Sequence, residues 1–305
     1  MTSTSVATEL SGEGIPAQTD QGAASVTPRT FIVTVYGLYG RRHGGWLSIA
    51  SLIALLGDLG VDEQAVRSSI SRLKRRGVLE ARRQDGLAGY ELSQEAQEIL
   101  QEGDERIFRR ERPSLADGWV LAVFSVPESE RSKRHQLRSR LSGMGFGAVA
   151  PGVWIAPAHL YESTSAMLRR LDLTAYADLL RSEYLAFTAV PEKVRQWWDL
   201  EELELRYETF IAAQQPVLDR WQQHPPADDA AAFADYIRAL TSWRRLPYLD
   251  PGLPAEVLPE RWAGLRAARV FFTLRTELEA RAHTHVAHTL GLTLSGILDF
   301  PSAPA

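Results

Sequence analysis

Residues 61–76 read VDEQAVRSSISRLKRR. Val66, Ile70 and Leu73 recur at i, i+4 and i+7, which predicts a helix with one narrow apolar stripe. Asp62 is placed to cap its first turn, and Val61 and Val66 to close over that cap as a hydrophobic staple. Glu63 suits the positive end of the helix dipole, and Lys74, Arg75 and Arg76 suit the negative end. Gly77 ends the helix. At about 3.6 residues per turn, the face opposite the stripe carries Gln64, Ser68, Ser71, Arg72 and Arg75, with Arg67 at its flank. Each is a donor able to reach a phosphate or a base edge. An ordinary surface helix with solvated charges has the same composition, so the neighbours decide.

Upstream, Thr27 and Pro28 read as an N-cap and a first helical residue. The FIVTVYGLYG that follows is β-branched and aromatic, yet Phe31, Val35 and Leu38 fall at helical spacing, and the cap decides for a helix. Ser48 can cap a second helix running to about Leu56, and residues 57–60 form a short turn. Downstream, VLEARR and YELS flank Asp85-Gly86 and Gly89, the pattern of a hairpin. Helix, helix, basic helix and basic hairpin predict a winged helix-turn-helix over 27–92, with Arg82 and Arg83 near the tip of the wing. Between residues 28 and 83 ten basic residues stand against four acidic ones, a local excess of +6. The net charge is −4, so the rest of the chain carries −10. A basic head on an acidic body suits a DNA binder that does not coat DNA indiscriminately.

At 305 residues the chain is long enough for two or three domains. It has no cysteine, which excludes disulfides, thiolate-bound metals and thiol catalysis and fits a reducing cytoplasm. No apolar run approaches the roughly 20 residues that span a bilayer, and no secretory signal is read at the start. The expected location is cytoplasmic. Residues 1–26 are polar, small and aperiodic, and are expected to be a disordered tail. Ser93 caps a mostly polar connector helix to about Arg112, so 93–115 reads as a linker. From Trp119 the pattern changes. WVLAVFSV is a buried strand, 128–143 a helix, the segments after Gly145 and around Trp154 two short strands, 162–171 a helix and 183–190 a last strand. That order, βαββαβ, predicts a ferredoxin-like domain over 116–190. Residues 191–300 read as helical and hold five of the eight tryptophans, which can form a core or line a pocket. The fold class is therefore α+β multidomain, with an all-α carboxy-terminal domain over 191–300.

Three stretches match one known family in order and spacing. They are TPRTFIVTVYGLYGR with VDEQAVRSSISRLKRRGVLEA, WVLAVFSVPE with GFGAVAPGVWIAP, and RRLPYLDPGLPAEVLPERWAG. The chain resembles the phenylacetic acid catabolic repressors of the PaaX type, from Thr27 to about Ala280. The resemblance implies a winged-helix head, a Cas2-like ferredoxin-like middle and a helical end. It also implies a homodimeric repressor of phenylacetate-type catabolic genes, released from operator DNA by an aryl-CoA thioester, most often phenylacetyl-CoA, with the helical end as the effector and dimerisation domain. No cofactor and no membrane partner are expected.

The expected DNA contacts are Arg41, Arg42, Gln64, Arg67, Ser68, Ser71, Arg72, Lys74, Arg75, Arg82 and Arg83. A CoA thioester carries phosphates, so its pocket needs arginine beside aromatic surface. Trp243, Arg244, Arg245 and Tyr248 form the best such cluster, and Arg169 with Arg170 a second; salt bridges to the acidic helix near Glu201–Glu204 remain an equal reading for them. The loop with Asp250, Pro251, Leu253, Pro254 and Pro259 reads as architecture, with Asp250 able to cap. His283, His285 and His288 lie outside the family pattern, and with no acid or thiol beside them no metal is expected there. Two other functions use parts of the same pattern. An activator, or a regulator of another pathway, would use the same head. A metal-dependent nuclease would need carboxylates at the end of the first central strand, where Ser125 stands and Glu128 lies past a proline.

Overall fold

The computed structural model describes Val6, Leu10 and residues 27–108, 112–185 and 187–292. The chain divides into two compact units: Met1–Arg109, Phe210–Arg245 and Arg266–Ala305 form the first, and Arg110–Thr209 with Leu246–Leu265 the second. This differs from the expected separation of head, connector and helical domain. Most of the carboxy-terminal helices share a unit with the amino-terminal α/β part.

In the first unit, α1 (Pro28–Leu38) is the helix that the cap position demanded, with Pro28 opening it. Thr27 occupies the cap position, but its hydroxyl makes no cap bond. A 3-10 turn at Gly40–His43 leads to a short strand β1 (Trp46–Ser48). Ser48 then caps α2 (Ile49–Gly57), its Oγ accepting from the Ser51 amide at 3.0 Å. Helix α3 (Glu63–Arg75) follows, and strands β2 (Leu79–Gln84) and β3 (Leu87–Leu92) close into a hairpin. Asp85 and Gly86 both have positive φ, 50° and 79°, the geometry of a two-residue turn that matches strand twist. Gly89 is not part of that turn. It lies inside β3 opposite Ser48, and a Cβ there would come within 2.4 Å of the Trp46 ring. The three strands run in the order β1-β3-β2.

Helix α4 (Gln94–Phe108) is capped by Ser93, whose Oγ accepts from the Ala96 amide at 3.2 Å. It is packed rather than a free linker: Asp104 binds Arg41, and the Ile107 carbonyl accepts from the Trp243 indole at 3.1 Å. The later helices complete the unit. In α9 (Asp229–Trp243) nine side chains are buried, too many for a helix with one wet face, and the helix packs on α1. Thr241 donates to Thr34 at 2.9 Å within that contact. Trp243 stacks on Phe271 of α11 (Ala263–Leu290) with ring centroids 4.9 Å apart. Of the expected tail, all but two residues lie outside the described ones. Val6 and Leu10 are helical and buried, so at these positions the expectation is corrected. Val6 lies over Gly77, and the Leu10 carbonyl accepts from Arg244 at 2.8 Å.

The second unit is built on an antiparallel sheet of order β5-β6-β4-β7. Its strands are β4 (Trp119–Phe124), β5 (Gly147–Ala150), β6 (Val153–Pro157) and β7 (Ala177–Ser182). Helices α5 (Arg131–Gly143) and α6 (Tyr161–Arg170) give the βαββαβ order. The last strand lies upstream of the expected 183–190. The EYLAF run looks more like a strand, but Leu185 and Phe187 are exposed, while Leu179 packs on the core. That core joins Val120 and Ala122 to Leu137, Leu141, Met167 and Leu168 of the two helices. On the opposite face Trp119 meets Trp197 and Trp198, at the end of α7 (Val190–Trp197). Helix α8 (Leu200–Gln223) contributes its first turns to this unit and the rest to the other. After the short α10 (Leu246–Leu249), Asp250 acts as a buried hub. It accepts from Tyr207 at 2.6 Å and from the Gly252 amide at 2.7 Å, with Arg112 at 3.9 Å, which fits the architectural reading of its loop.

Candidate nucleic-acid interface

Helix α3 is pinned on its inner side and open on its outer one. Asp62 caps it by accepting from the Ala65 amide at 2.9 Å. Val66, Ser69, Ile70 and Leu73 are buried. Gln64, Arg67, Ser68, Ser71, Arg72, Lys74 and Arg75 are all exposed. Arg67 pairs with Glu63 at 2.7 Å, one turn earlier, with both side chains more than half exposed. Such a pair is worth about 0–1 kcal/mol, so a phosphate can displace the carboxylate at little cost. Arg72 donates to Ser68 at 3.2 Å, which extends the guanidinium along the helix rather than tying it to the core.

The hairpin adds a second cationic element. Arg82 and Arg83 are exposed on β2. Arg82 binds Glu91 on the paired strand at 2.5 Å, and its carbonyl accepts from the Trp46 indole at 3.2 Å. Sequence reasoning left out two exposed neighbours. Arg76 sits at the C-cap of α3, and Gln84 is the last residue before the hairpin tip. The tip was legible from Asp85-Gly86, so Gln84 was within reach of that signal.

Arg41 and Arg42 do not join this set. Arg41 makes two bonds of 2.8 Å to the Asp104 carboxylate and two to the Gly37 carbonyl. Arg42 is half-buried, and desolvation lowers its pKa, opposed by the nearby Glu279. Both face into the first unit. Two adjacent arginines after a helix look the same in sequence whether they meet solvent or a carboxylate 63 residues downstream.

The residues expected at an effector pocket fall in both units. Trp243 and Arg244 are buried in the first unit, where Arg244 donates to the Leu10 carbonyl. Arg245 belongs to the same unit, whereas Tyr248 belongs to the second. Arg169 and Arg170 are exposed in the last turn of α6. The five late tryptophans fill several places. Trp243 stacks on Phe271, Trp221 donates to Asp235 at 2.8 Å, Trp262 packs on Tyr207, and Trp197 and Trp198 cover Trp119.

Within HTHVAH, His283 and His285 have protein partners. His283 packs edge-on against Tyr39 with centroids 5.3 Å apart, and His285 binds Asp58 at 2.7 Å. Burial first, then Arg42 and Arg275, push the His283 pKa down to about 4, so the ring is neutral. No group of three metal-ligating side chains occurs among the described residues. Past the end of β4, Glu128 binds Arg134 at 2.8 Å, and Glu130 accepts from Tyr176 with Lys133 at 3.1 Å. The Tyr176 and Lys133 bonds lower the Glu130 pKa. These carboxylates are engaged with cations and a phenol.

Three family models match the chain in sequence. "PaaX-like protein" covers residues 27–96, "PaaX protein central Cas2-like domain" 112–194, and "PaaX-like protein C-terminal domain" 198–288. The chain belongs to the PaaX family. A curated relative, the transcriptional repressor PaaX of Escherichia coli (strain K12), is 27% identical over 287 residues, 92% of this chain and 89% of that protein. An uncharacterized protein of Mycobacterium tuberculosis shares the fold with a TM-score of 0.52 and 24% identity, covering 85% of this chain and 99% of its own. The central sheet of the second unit is thus the Cas2-like part of a PaaX-family protein, and the basic helix α3 lies within its amino-terminal segment. Among the described residues no helix is long and apolar enough to cross a membrane.

Proposed function

We propose that this PaaX-family protein is a sequence-specific DNA-binding transcriptional repressor. Residues 27–92 act as a winged helix-turn-helix, with α3 as the recognition helix and β2–β3 as the wing. The observation that carries the reading is the division of α3. Its apolar stripe is buried, and seven donor side chains stand exposed on the other side. In a major groove those donors reach base edges and phosphates, while Arg82 and Arg83 track the backbone or the minor groove. A homodimer would place two such helices on half-sites about 34–36 Å apart, or a multiple of that. Repression fits the E. coli relative, whose name states that role. Gel shift of DNA from promoters beside the gene tests the reading; a protein that shows no preference for any duplex over bulk competitor overturns it.

The effector belongs to the same proposal. An aryl-CoA thioester such as phenylacetyl-CoA releases the protein from its operator by binding one conformation better than the other. The family resemblance supports this identity. In this reading Arg169 and Arg170, exposed on α6, supply cations for the ligand phosphates, whereas Trp243 and Arg244 are buried. A panel of aryl-CoA esters added to the gel shift checks the claim, and unchanged binding across the panel rejects it. Cleavage of DNA is not proposed: the carboxylates past β4 are tied to Arg134, Tyr176 and Lys133.

A further inference from the structure

Residues 57–60 link α2 to α3 and set where α3 begins. The turn closes on itself through Gly60 to Gly57 at 2.8 Å and Val61 to Leu56 at 3.0 Å. It is also gripped from outside. The Asp58 carboxylate meets His285 Nε2 at 2.7 Å, with the two side chains 30% and 18% exposed. One residue on, the Leu59 carbonyl accepts from Arg238 Nη2 at 3.3 Å. His285 comes from α11 and Arg238 from α9, and all four residues belong to the first unit.

Both gripping side chains are themselves held. Phe233 of α9 lies against the His285 ring, centroids 5.4 Å apart. Asp235 stands 3.7 Å from Arg238 Nη1 and also accepts from Trp221 and Arg220, so the carboxylate that orients Arg238 is fixed in turn. Each grip holds a different kind of group. One is a side-chain charge, the other a backbone carbonyl that no substitution at Leu59 removes. Together they fix a turn whose displacement by about 1 Å would carry the donors of α3 out of hydrogen-bond range.

We infer that His285 and Arg238 are positioning residues for the basic helix, and that the turn at 57–60 is where α9 and α11 act on it. The inference rests on the DNA-regulator reading for its consequence and on geometry alone for the grip. Neither residue lies on α3 or on the β2–β3 hairpin. Loss of either loosens the start of α3, keeps every donor side chain of the helix and lowers affinity through poorer alignment.

The test uses the full chain. Hydrogen exchange at the Val66 amide, which bonds to the Asp62 carbonyl at 3.1 Å, reports the first turn of α3 without DNA. His285→Ala and Arg238→Ala are each expected to raise it about tenfold relative to amides of the β4–β7 ladder in the same molecule. His285→Gln, which keeps a donor, should stay within about twofold of wild type. Affinity for a duplex selected by the wild-type protein from a random library should fall about fivefold in His285→Ala. Asp58→Asn combined with His285→Ala should be no weaker than the weaker single variant, since both remove one interaction. The slope of log affinity against log salt should not change, because no phosphate contact is lost. Unchanged exchange at Val66 in both alanine variants overturns the grip. Raised exchange in a protein that selects no duplex keeps the grip and overturns the DNA reading instead.

Discussion

Two sets of cations in the first unit look alike in sequence and differ in everything else. Arg67, Arg72, Lys74, Arg75, Arg82 and Arg83 stand in solvent. Arg41, Arg42, Arg244 and Arg275 are buried or half-buried. The outer set has nothing to lose by meeting a polyanion, since its pairings are exposed and weak. The inner set is part of the fold: Arg275 binds Glu279 at 3.1 Å and lies over the Phe108 ring, and Arg41 straddles Asp104. Local charge excess therefore identifies a region, and the partners of each guanidinium decide which of its cations can work on a ligand.

The sharpest way to break this division is to truncate the inner set. Arg275→Ala removes a buried cation from a largely covered Glu279, leaving Arg42 as the nearby cation, and empties the space over the Phe108 ring; it should cost about 3 kcal/mol in thermal or denaturant unfolding. A variant as stable as wild type would place Arg275 with the outer set. Next in size is the effect of pH on His283. Its native pKa is about 4 against 6.5 unfolded, so the unfolded chain binds the extra proton first. Stability is then full above about pH 6.5 and falls as the pH drops toward 4, by up to about 3 kcal/mol. Urea midpoints measured from pH 7 to pH 4.5, with His283→Leu as control, should show this loss in wild type and a smaller one in the variant. Outer-set truncations come third. Arg72→Ala should weaken operator binding by about 1–3 kcal/mol if it reads a base, with unfolding shifted by less than about 0.5 kcal/mol. A loss that is equal on all duplexes and lowers the salt slope by about 0.9 makes Arg72 a phosphate contact instead. Smallest is Glu63→Gln. It frees Arg67 from an exposed pair and should change stability by less than about 0.5 kcal/mol, without lowering DNA affinity.

The legible parts of the chain were those whose signals are local. Asp62, Val66, Ile70, Leu73 and Gly77 specify α3 within one stretch, and its bounds followed. Asp85-Gly86 fixed the hairpin because positive φ at both positions selects those residues. Strand β1 has three residues, too few for alternation to show, and its existence rests on Gly89 making room for the Trp46 ring across the ladder. Strand β7 was misplaced because EYLAF has more β-forming side chains than ADLLRS, and burial against the core overrode propensity. The inward turn of Arg41 and Arg42, and the docking of α9 on α1, depend on residues distant in sequence, which periodicity does not encode.

The contacts that join the start of the chain to its end also set a timetable. Thr34 waits for Thr241, 207 residues later, and Asp58 waits for His285, 227 residues later. A ribosome adding about 5–20 residues per second needs roughly 10–45 s to cover such a distance. Throughout that interval the nascent protein already displays the donors of α3 but lacks the helices that hold α3 in place. A message cut short before α11 would therefore yield a product with a complete basic face and an unfinished grip on it.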